Sequence, residues 1–298
     1  MKTAAIILTY NRKEMLARCL DAVMAQSRRT DIIVVDNGSN DGTSEMFCGP
    51  HVKYDCESVH YFNIRHNTGC AGGFTFGIRK AADLGYDYVW LLDDDCVPSE
   101  TAFSELMDYA DGHEGGFGFL SSKVLWTDGS ICRMNLQRRT LTRNVRNMSI
   151  PVIPVVMASF ASLLIPMSVI RDVGLPYREF FIWTDDWEYT RRISLRYPCM
   201  MITASAVTHF IKDKSKADIA TASSDRLHRF RYLYRNDVVL YRREGVKGAA
   251  YEAVRLPYHI VRILCSSLDR KDKIDRIGIL IKGTAEGLMF YPEPDRLP

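Results

Sequence analysis

Two groups of carboxylates and one histidine carry most of the chemistry this sequence can perform. Asp93, Asp94 and Asp95 follow the apolar run WLL. Open α/β sheets bind ligands beyond the carboxyl ends of their strands, so three acids at a strand end stand where a ligand would sit. Adjacent negative charges raise one another's proton affinity unless a cation or hydrogen-bond donors compensate them. In extended backbone alternate side chains share a side, which sets Asp93 and Asp95 together, converging on one cation, and Asp94 opposite. The plain alternative is a solvated acidic turn.

The second group, Asp185, Asp186 and Glu188, follows FFIWT. Acids in a first helical turn complement the helix dipole, which is one reading. The other is a general base toward a hydroxyl, its proton affinity raised by the neighbouring rings. His209 closes an apolar stretch over 200–210. With its strand beside that of Asp93, the imidazole would complete an O,O,N site for Mn2+ or Mg2+, leaving diphosphate and water for the other positions. Asp36 ends the run DIIVVD, where it can accept from a uracil N–H or a ribose hydroxyl. HNTGCAGGFTFG sets glycines before a helix without the G-x-G-x-x-G spacing of a dinucleotide fingerprint. Gly69, Gly72 and Gly73 are therefore expected to form a tight turn that brings backbone close to a bound nucleotide.

The elements that position these groups follow from periodicity. Apolar runs at 4–9, 31–36, 59–64 and 88–92 read as buried strands. Leu16, Cys19, Leu20 and Val23 recur at helical spacing, as do Phe74, Gly77, Ile78 and Ala81. Phe103, Leu106, Met107 and Ala110 mark another helix, which Pro98 and Ser99 are expected to open, with Ser99 as cap. The pattern is a β-α-β-α-β-α-β-α alternation: an α/β, Rossmann-like, mostly parallel doubly wound sheet. The arginine-rich stretch 115–147 is expected to carry acceptor-side loops. KDKSKAD reads as charged and mobile. Beyond it the period is helical, with Leu227, Phe230 and Tyr234 on one face, a second segment over 251–264 interrupted by Pro257, and a third over 274–289. The expected division is a catalytic domain over 1–224 and a helical segment over 225–298.

Composition bounds the class. The 298 residues, 47% hydrophobic and 25% charged, suffice for one large core, and the net charge of +3 gives no case for nucleic acid. That charge is uneven, since residues 225–298 hold 15 Lys and Arg against 10 Asp and Glu. Eight cysteines without a CxxC pair, Cys56 among them, suit a reduced, cytoplasmic chain. No window reaches the roughly 18 apolar residues of a membrane span.

Taken in order, ILTYNR, VVDNGSNDGT, HNTGCAGGFTFGIRKA, WLLDDDC and FFIWTDDWEYTRR resemble the family 2 glycosyltransferases over about residues 4–210. N-x-G-x-x-GG with DDD and a later aromatic-DD-x-E is most similar to bacterial galactofuranosyltransferases, with rhamnosyltransferases second. The resemblance implies a nucleotide-sugar-binding GT-A fold followed by a helical extension. It implies that Tyr10, Arg12 and Asp36 hold the nucleotide base, with Asn67 in the glycine-rich loop. Asp93, Asp95 and His209 match its metal and diphosphate site, Asp186 its base, and Asp185 a ligand of sugar hydroxyls. Asp94, Trp183 and Glu188 complete the substrate-binding candidates. One departure touches the donor: a tryptophan often directly precedes the DD pair in galactofuranosyltransferases, whereas here Thr184 does and Trp183 lies one place earlier.

The implied reaction is a single in-line displacement at the anomeric carbon that inverts configuration. Galactofuranose would pass from UDP-galactofuranose, or rhamnose from dTDP-rhamnose, to a hydroxyl of a cell-surface glycan or lipid-linked saccharide such as lipopolysaccharide or capsule. Arg255, Arg262, Arg270, Lys271 and Lys273 beside apolar faces suit anionic headgroups, giving an enzyme peripheral at the inner face of the plasma membrane. Equally, the tail packs on the core or on another copy in a homo-oligomer. The rival classes are a nucleotidyltransferase, although LTYNRKE lacks the glycines of a triphosphate loop, and a non-catalytic nucleotide-binding protein.

Overall fold

In β1 (Thr3–Thr9), Ala4, Ile6 and Leu8 point into one hydrophobic core while Ala5 and Ile7 point into another. This period-two division is what a strand covered on both faces requires, and it fixes the layered plan of the molecule. The computed structural model describes every residue except 49–51, 55–56, 114–115 and 212–216. Cys56 and most of the charged KDKSKAD stretch lie outside the described residues. The other seven cysteines are free.

Among the described residues nine strands form one mixed sheet. β1 pairs in parallel with β2 (Asp31–Asp36) and β4 (Tyr88–Asp93), and β3 (Val59–Asn63) extends the parallel half beyond β2. β5 (Cys96–Pro98), β6 (Leu120–Trp126), β7 (Val152–Pro154), β8 (Leu163–Pro166) and β9 (Met200–His209) build the other half. There β6 and β9 run parallel, and β8, β5 and β7 run antiparallel to their neighbours. α1 (Lys13–Met24) and α3 (Ala102–Asp111) cover one face. α2 (Gly69–Asp83), α4 (Met167–Val173) and α5 (Asp185–Ser194) cover the other. Leu16, Cys19, Leu20 and Val23 are the buried residues of α1. Each such fully buried aliphatic side chain contributes about 1.5–3 kcal/mol.

Four local expectations differ from the observed elements. Among the described residues between β2 and β3 there is one 3-10 turn (Ser44–Met46) and no α-helix, so the strict alternation is broken there. Pro98 ends β5, an edge strand where a missing N–H is tolerated, and α3 starts after Thr101, so Ser99 is not its cap. Gly72 and Gly73 lie inside α2: a Cβ on Gly73 would stand 2.2 Å from the Leu8 side chain, so this glycine serves helix-on-sheet packing and not a nucleotide turn. Pro257 does not interrupt its helix, which runs from Gly245 to Leu264.

Three helices follow: α6 (Leu227–Arg242), α7 (Gly245–Leu264) and α8 (Arg270–Met289). Phe230, Tyr234, Ile263 and Leu280 form their shared core. Among the described residues no helix is long and apolar enough to cross a membrane.

Candidate active site

The end of β4 and the start of α5 meet around a cavity of about 520 Å3. Asn135 on its wall joins it to His209 at the end of β9, which does not itself line it and lies two strands beyond β4's neighbour β8 rather than beside β4. Asp93, Asp185, Asp186, Trp183 and Trp187 line it, together with Arg138 and Asn135 from the arginine-rich stretch. Leu233, Asp237, Tyr241, Tyr251 and Arg255 of α6 and α7 complete its wall. The helices after residue 225 are thus part of the site.

The acidic triple does not keep strand geometry. β4 ends at Asp93, the chain turns, and Asp94 and Asp95 both reach one guanidinium nitrogen of Arg12, Asp94 at 3.3 Å. Asp94 also accepts from Thr9 Oγ1 at 2.7 Å. Asp95 and Asp94 therefore share a side, contrary to the alternation expected from extended backbone, because the turn begins one residue earlier. Asp95 meets His209 Nε2 at 3.2 Å. Among the described residues the three donors that lie within 4.8 Å of one another are Asp95, Cys96 and His209, and Asp93 is not of that set. It lies on the cavity wall instead, close enough to feel the charges of Asp95, His209 and Asp185.

His209 is held from behind. Its Nδ1 lies 3.0 Å from Asn135 Oδ1, while Asn135 Nδ2 donates to Ser159 Oγ at 2.9 Å, which fixes the amide orientation. Trp126 stacks on the imidazole with a 12° interplanar angle. A ring whose far nitrogen donates to an oxygen presents its near nitrogen as a ligand once a cation displaces the proton that Nε2 shares with Asp95, the usual support of a metal-binding histidine. No local sequence signal marks Asn135; its role comes from a partner 74 positions away.

Burial sets the protonation pattern. Asp93 is pushed up to about 7 by burial, with the charge of Asp95 adding to it. Burial raises Asp94 to about 6 against the pull of Arg12, and raises Asp185 to about 6. Asp186 lies well above the ordinary carboxylate range through burial and then the charge of Asp185. For Asp95 burial is outweighed by His209 and Arg12, which hold it below that range. Burial is likewise outweighed at His209, which the hydrogen bond to Asp95 holds up to about 10. An acidic wall of this kind favours protons or a cation. Asp185 Oδ2, moreover, is buried with no hydrogen-bond partner. The oxygen and nitrogen donors of Asp95 and His209, with Asp93 adjoining, fit Mn2+ or Mg2+. Cys96 does not: burial lifts its thiol well above the usual range, and sulfur is a poor partner for a hard cation.

The segment before the second acidic pair is strained. Phe181, Trp183 and Thr184 all have φ of 64°, a conformation side-chain-bearing residues avoid. Asn236, fully buried in α6, donates from Nδ2 to the carbonyls of Phe180 (2.9 Å), Ile182 (3.2 Å) and Trp183 (2.9 Å). Thr184 Oγ1 donates to Asp237 at 2.5 Å. Gly69 is required on the other side, since a Cβ there would stand 2.1 Å from the Phe181 carbonyl oxygen. Asp186 emerges with Oδ1 taken by the Trp187 amide at 2.7 Å and, among the described residues, no hydrogen-bond partner for Oδ2.

The remaining candidates separate. Tyr10 is exposed at the end of β1, beside the loop that Asn11 and Ser39 tie down. Asp36 is fully buried, its oxygens taken by Tyr61 (2.6 Å), Asn63 (3.0 Å) and the Ser39 amide (2.8 Å). Asn67 accepts from Asn37 and from the Gly69 amide, linking the two loops. Glu188 is turned away from the cavity into a buried ion-pair network with Arg192 and Arg243, both at 3.0 Å. Arg255 is engaged internally by Asp237 and Glu252, whereas Arg262 pairs with Asp218 at the surface, its side chain 46% exposed.

A parallel nucleotide-type half-sheet whose strand ends carry an acidic cavity defines a GT-A transferase. Residues 4–160 match the family described as Glycosyl transferase family 2, and the chain belongs to that family. Galactofuranosyltransferase GlfT1 of Mycolicibacterium smegmatis is 33% identical over 200 residues, covering 63% of this chain and 64% of that protein. GlfT1 of Mycobacterium tuberculosis is 30% identical over 199 residues, covering 63% of each chain. The match therefore spans just under two thirds of these relatives. S. aureus TarS 1-349 superposes with a TM-score of 0.57 at 15% identity, covering 95% of this chain and 71% of that one. GalNAc-T7 with UDP, GalNAc and Mn2+ gives 0.56 at 16% identity, covering 78% and 48%. At these identities the structural likeness shows the fold alone.

Proposed function

We propose that this glycosyltransferase moves galactofuranose from UDP-galactofuranose to a hydroxyl of a glycan or lipid-linked saccharide, with inversion at the anomeric carbon. The observation that carries this is Asp186, whose Oδ2 has no hydrogen-bond partner among the described residues, in a wall shared with Asp93. The donor assignment is supported by the galactofuranosyltransferase relatives. In this reading Asp186 takes the proton of the acceptor hydroxyl as its oxygen attacks. Asp185 holds sugar hydroxyls through its unpartnered oxygen, and Trp183 gives the sugar an apolar face. Tyr10 and Asn67 contact the nucleotide from the loops at the ends of β1 and β3. Asp95 and His209, with Asp93 beside them, would hold Mn2+ or Mg2+, which when bound offsets charge on the departing diphosphate.

Calorimetry with UDP-galactofuranose, dTDP-rhamnose and UDP-galactopyranose, each with and without Mn2+, tests the donor. UDP-galactofuranose is expected to bind at least about tenfold more tightly than the others, a difference of about 1.4 kcal/mol. Preference for dTDP-rhamnose would replace this donor with the rhamnosyl one, and no binding of any nucleotide-sugar would end the reading.

For membrane contact, the supporting surface keeps Arg270 and Lys271 of the basic set read in the sequence and adds an apolar face. Val254, Tyr258, Val261 and Leu264 are 54–72% exposed along one face of α7, beside exposed Arg270 and Lys271. An exposed apolar stripe flanked by cations suits the inner face of the plasma membrane. Flotation with vesicles containing phosphatidylglycerol should be lost in the Val254→Ser, Val261→Ser, Leu264→Ser variant; retention would exclude this face.

A further inference from the structure

Beside the cavity lies a second one, of about 770 Å3, whose polar wall consists of arginines and small uncharged residues. Arg139, Arg143 and Arg146 line it, with Thr140, Asn144 and Asn147, over a floor from β7. All three arginines are exposed, and among the described residues none has a side-chain hydrogen bond or an ion pair. Arg138, next in sequence, is by contrast engaged, with its guanidinium 3.6 Å from the Trp187 ring centroid and bonded to Leu141 O at 2.7 Å.

The sequence around this cleft contains no counter-charge. Between Asp128 and Asp172 there is no Asp, Glu or Lys, yet arginine stands at 133, 138, 139, 143, 146 and 171. The bearing segment is ordered: Arg139 N donates to Arg143 O at 2.8 Å, and Val145 N donates to Gln137 O at 2.8 Å. Bridges from Arg138 to Asn144 and Met157 pin it to the body of the protein. Arginine's planar fork matches phosphate oxygens in pairs, which a lysine cannot do. Three unpaired guanidinium groups on a pinned turn therefore form a site for a phosphate group rather than a diffuse basic surface. Asn144 lines both cavities, so a ligand in this cleft continues into the transfer site.

We propose that the Arg139, Arg143 and Arg146 cleft is a phosphate-binding subsite that holds a phosphate- or diphosphate-bearing part of the acceptor while its hydroxyl reaches the neighbouring cavity. This rests on reading that cavity as the site of transfer. The acceptor would accordingly be anionic at a fixed distance from the hydroxyl that is glycosylated.

The test is calorimetric titration of inorganic pyrophosphate into the full chain held in saturating UDP, so that the transfer cavity's own diphosphate position is filled. Wild type is compared with the Arg139→Gln, Arg143→Gln, Arg146→Gln variant, whose substitutions are all on the surface. Pyrophosphate affinity should fall at least about tenfold in the variant, since charge-assisted bonds are roughly twice as strong as neutral ones, while UDP affinity stays the same. Equal pyrophosphate binding by the two proteins overturns the proposal. A second arm uses phosphatidylcholine vesicles with and without phosphatidylglycerol. Binding to anionic vesicles that depends on the three arginines, without any pyrophosphate binding, also overturns it by assigning them to a lipid surface. If neither protein binds UDP, the transferase reading fails, and the pyrophosphate comparison still decides the cleft.

Discussion

Replacing Asn236 by alanine probes how a helix outside the sheet governs the acidic pair. One carboxamide NH2 serves the carbonyls of Phe180, Ile182 and Trp183 from a fully buried position. Its two hydrogens are shared among three acceptors, so the variant loses about two hydrogen bonds and strands buried carbonyls, at about 2–4 kcal/mol in total. At about 2–4 °C per kcal/mol for a chain of this size, the melting temperature should fall by about 4–16 °C. A second effect falls on turnover. Phe181, Trp183 and Thr184 hold left-handed φ values of 64°, each carrying about 1–3 kcal/mol of strain that the surrounding bonds sustain. Released from Asn236, this segment relaxes and carries Asp185 and Asp186 with it. A displacement of about 1 Å is enough for a loss of about 100-fold, so kcat should fall by about 10–100-fold. KM for the donor should stay within about threefold, because the nucleotide-side loops at β1, β2 and β3 do not touch Asn236. The assay is UDP release under initial-rate conditions well below the variant's melting temperature, paired with thermal unfolding. A lowered melting temperature with unchanged kcat would show that Asn236 stabilises the fold without positioning the pair.

Three further outcomes follow from the same contacts. Asn135→Ala removes the oxygen that orients His209, so the Mn2+ concentration needed for half-maximal turnover should rise by about 10–100-fold; an unchanged requirement would separate His209 from the cation. Glu188→Gln breaks a buried pairing with Arg192 and Arg243 and should destabilise by about 3–5 kcal/mol while leaving donor KM unchanged; a raised KM at constant melting temperature would restore Glu188 to substrate binding. His259, whose Nδ1 lies 2.6 Å from the Tyr234 hydroxyl, has its pKa lowered by burial and by the charge of Arg255. The unfolded chain thus takes up a proton at a higher pH than the folded one, so stability falls as pH drops through about 6.5 and stops falling below the folded pKa. Melting curves from pH 8 to 5 should show a steeper loss in wild type than in His259→Asn, and equal slopes would refute this.

The parallel half of the fold was legible because its signals are local. DIIVVD is a strand buried on both faces, and the α1 stripe of Leu16, Cys19, Leu20 and Val23 is the buried stripe of the structure. Asp185 and Asp186 at the start of a helix, and His209 at the end of a strand, were legible for the same reason. Features that depend on partners far along the chain were not. Nothing in DDD shows that Arg12 gathers Asp94 and Asp95, which turns the chain after Asp93 and leaves Asp93 out of the Asp95–His209 pair. Arg255 and Arg262 looked like free surface charge because Asp237 and Asp218 lie 18 and 44 positions before them. Asn236 sits in a helix that composition set apart from the sheet, and it holds the segment bearing the acidic pair. Gly73 reads as a ligand-side turn because close helix–sheet packing and close approach to a ligand demand the same missing Cβ, and Gly72 because nothing local shows that the Thr68 side chain fills the space a Cβ would take.

The claim that Asp186 is the base of a transfer reaction is tested most directly by Asp186→Asn, a nearly isosteric change that keeps the oxygen bonded by the Trp187 amide. With UDP-galactofuranose as donor, kcat should fall by about 100-fold or more while calorimetric affinity for UDP is retained. Turnover above about a tenth of wild type, at unchanged UDP affinity, would contradict the account, since loss of a general base removes far more than that.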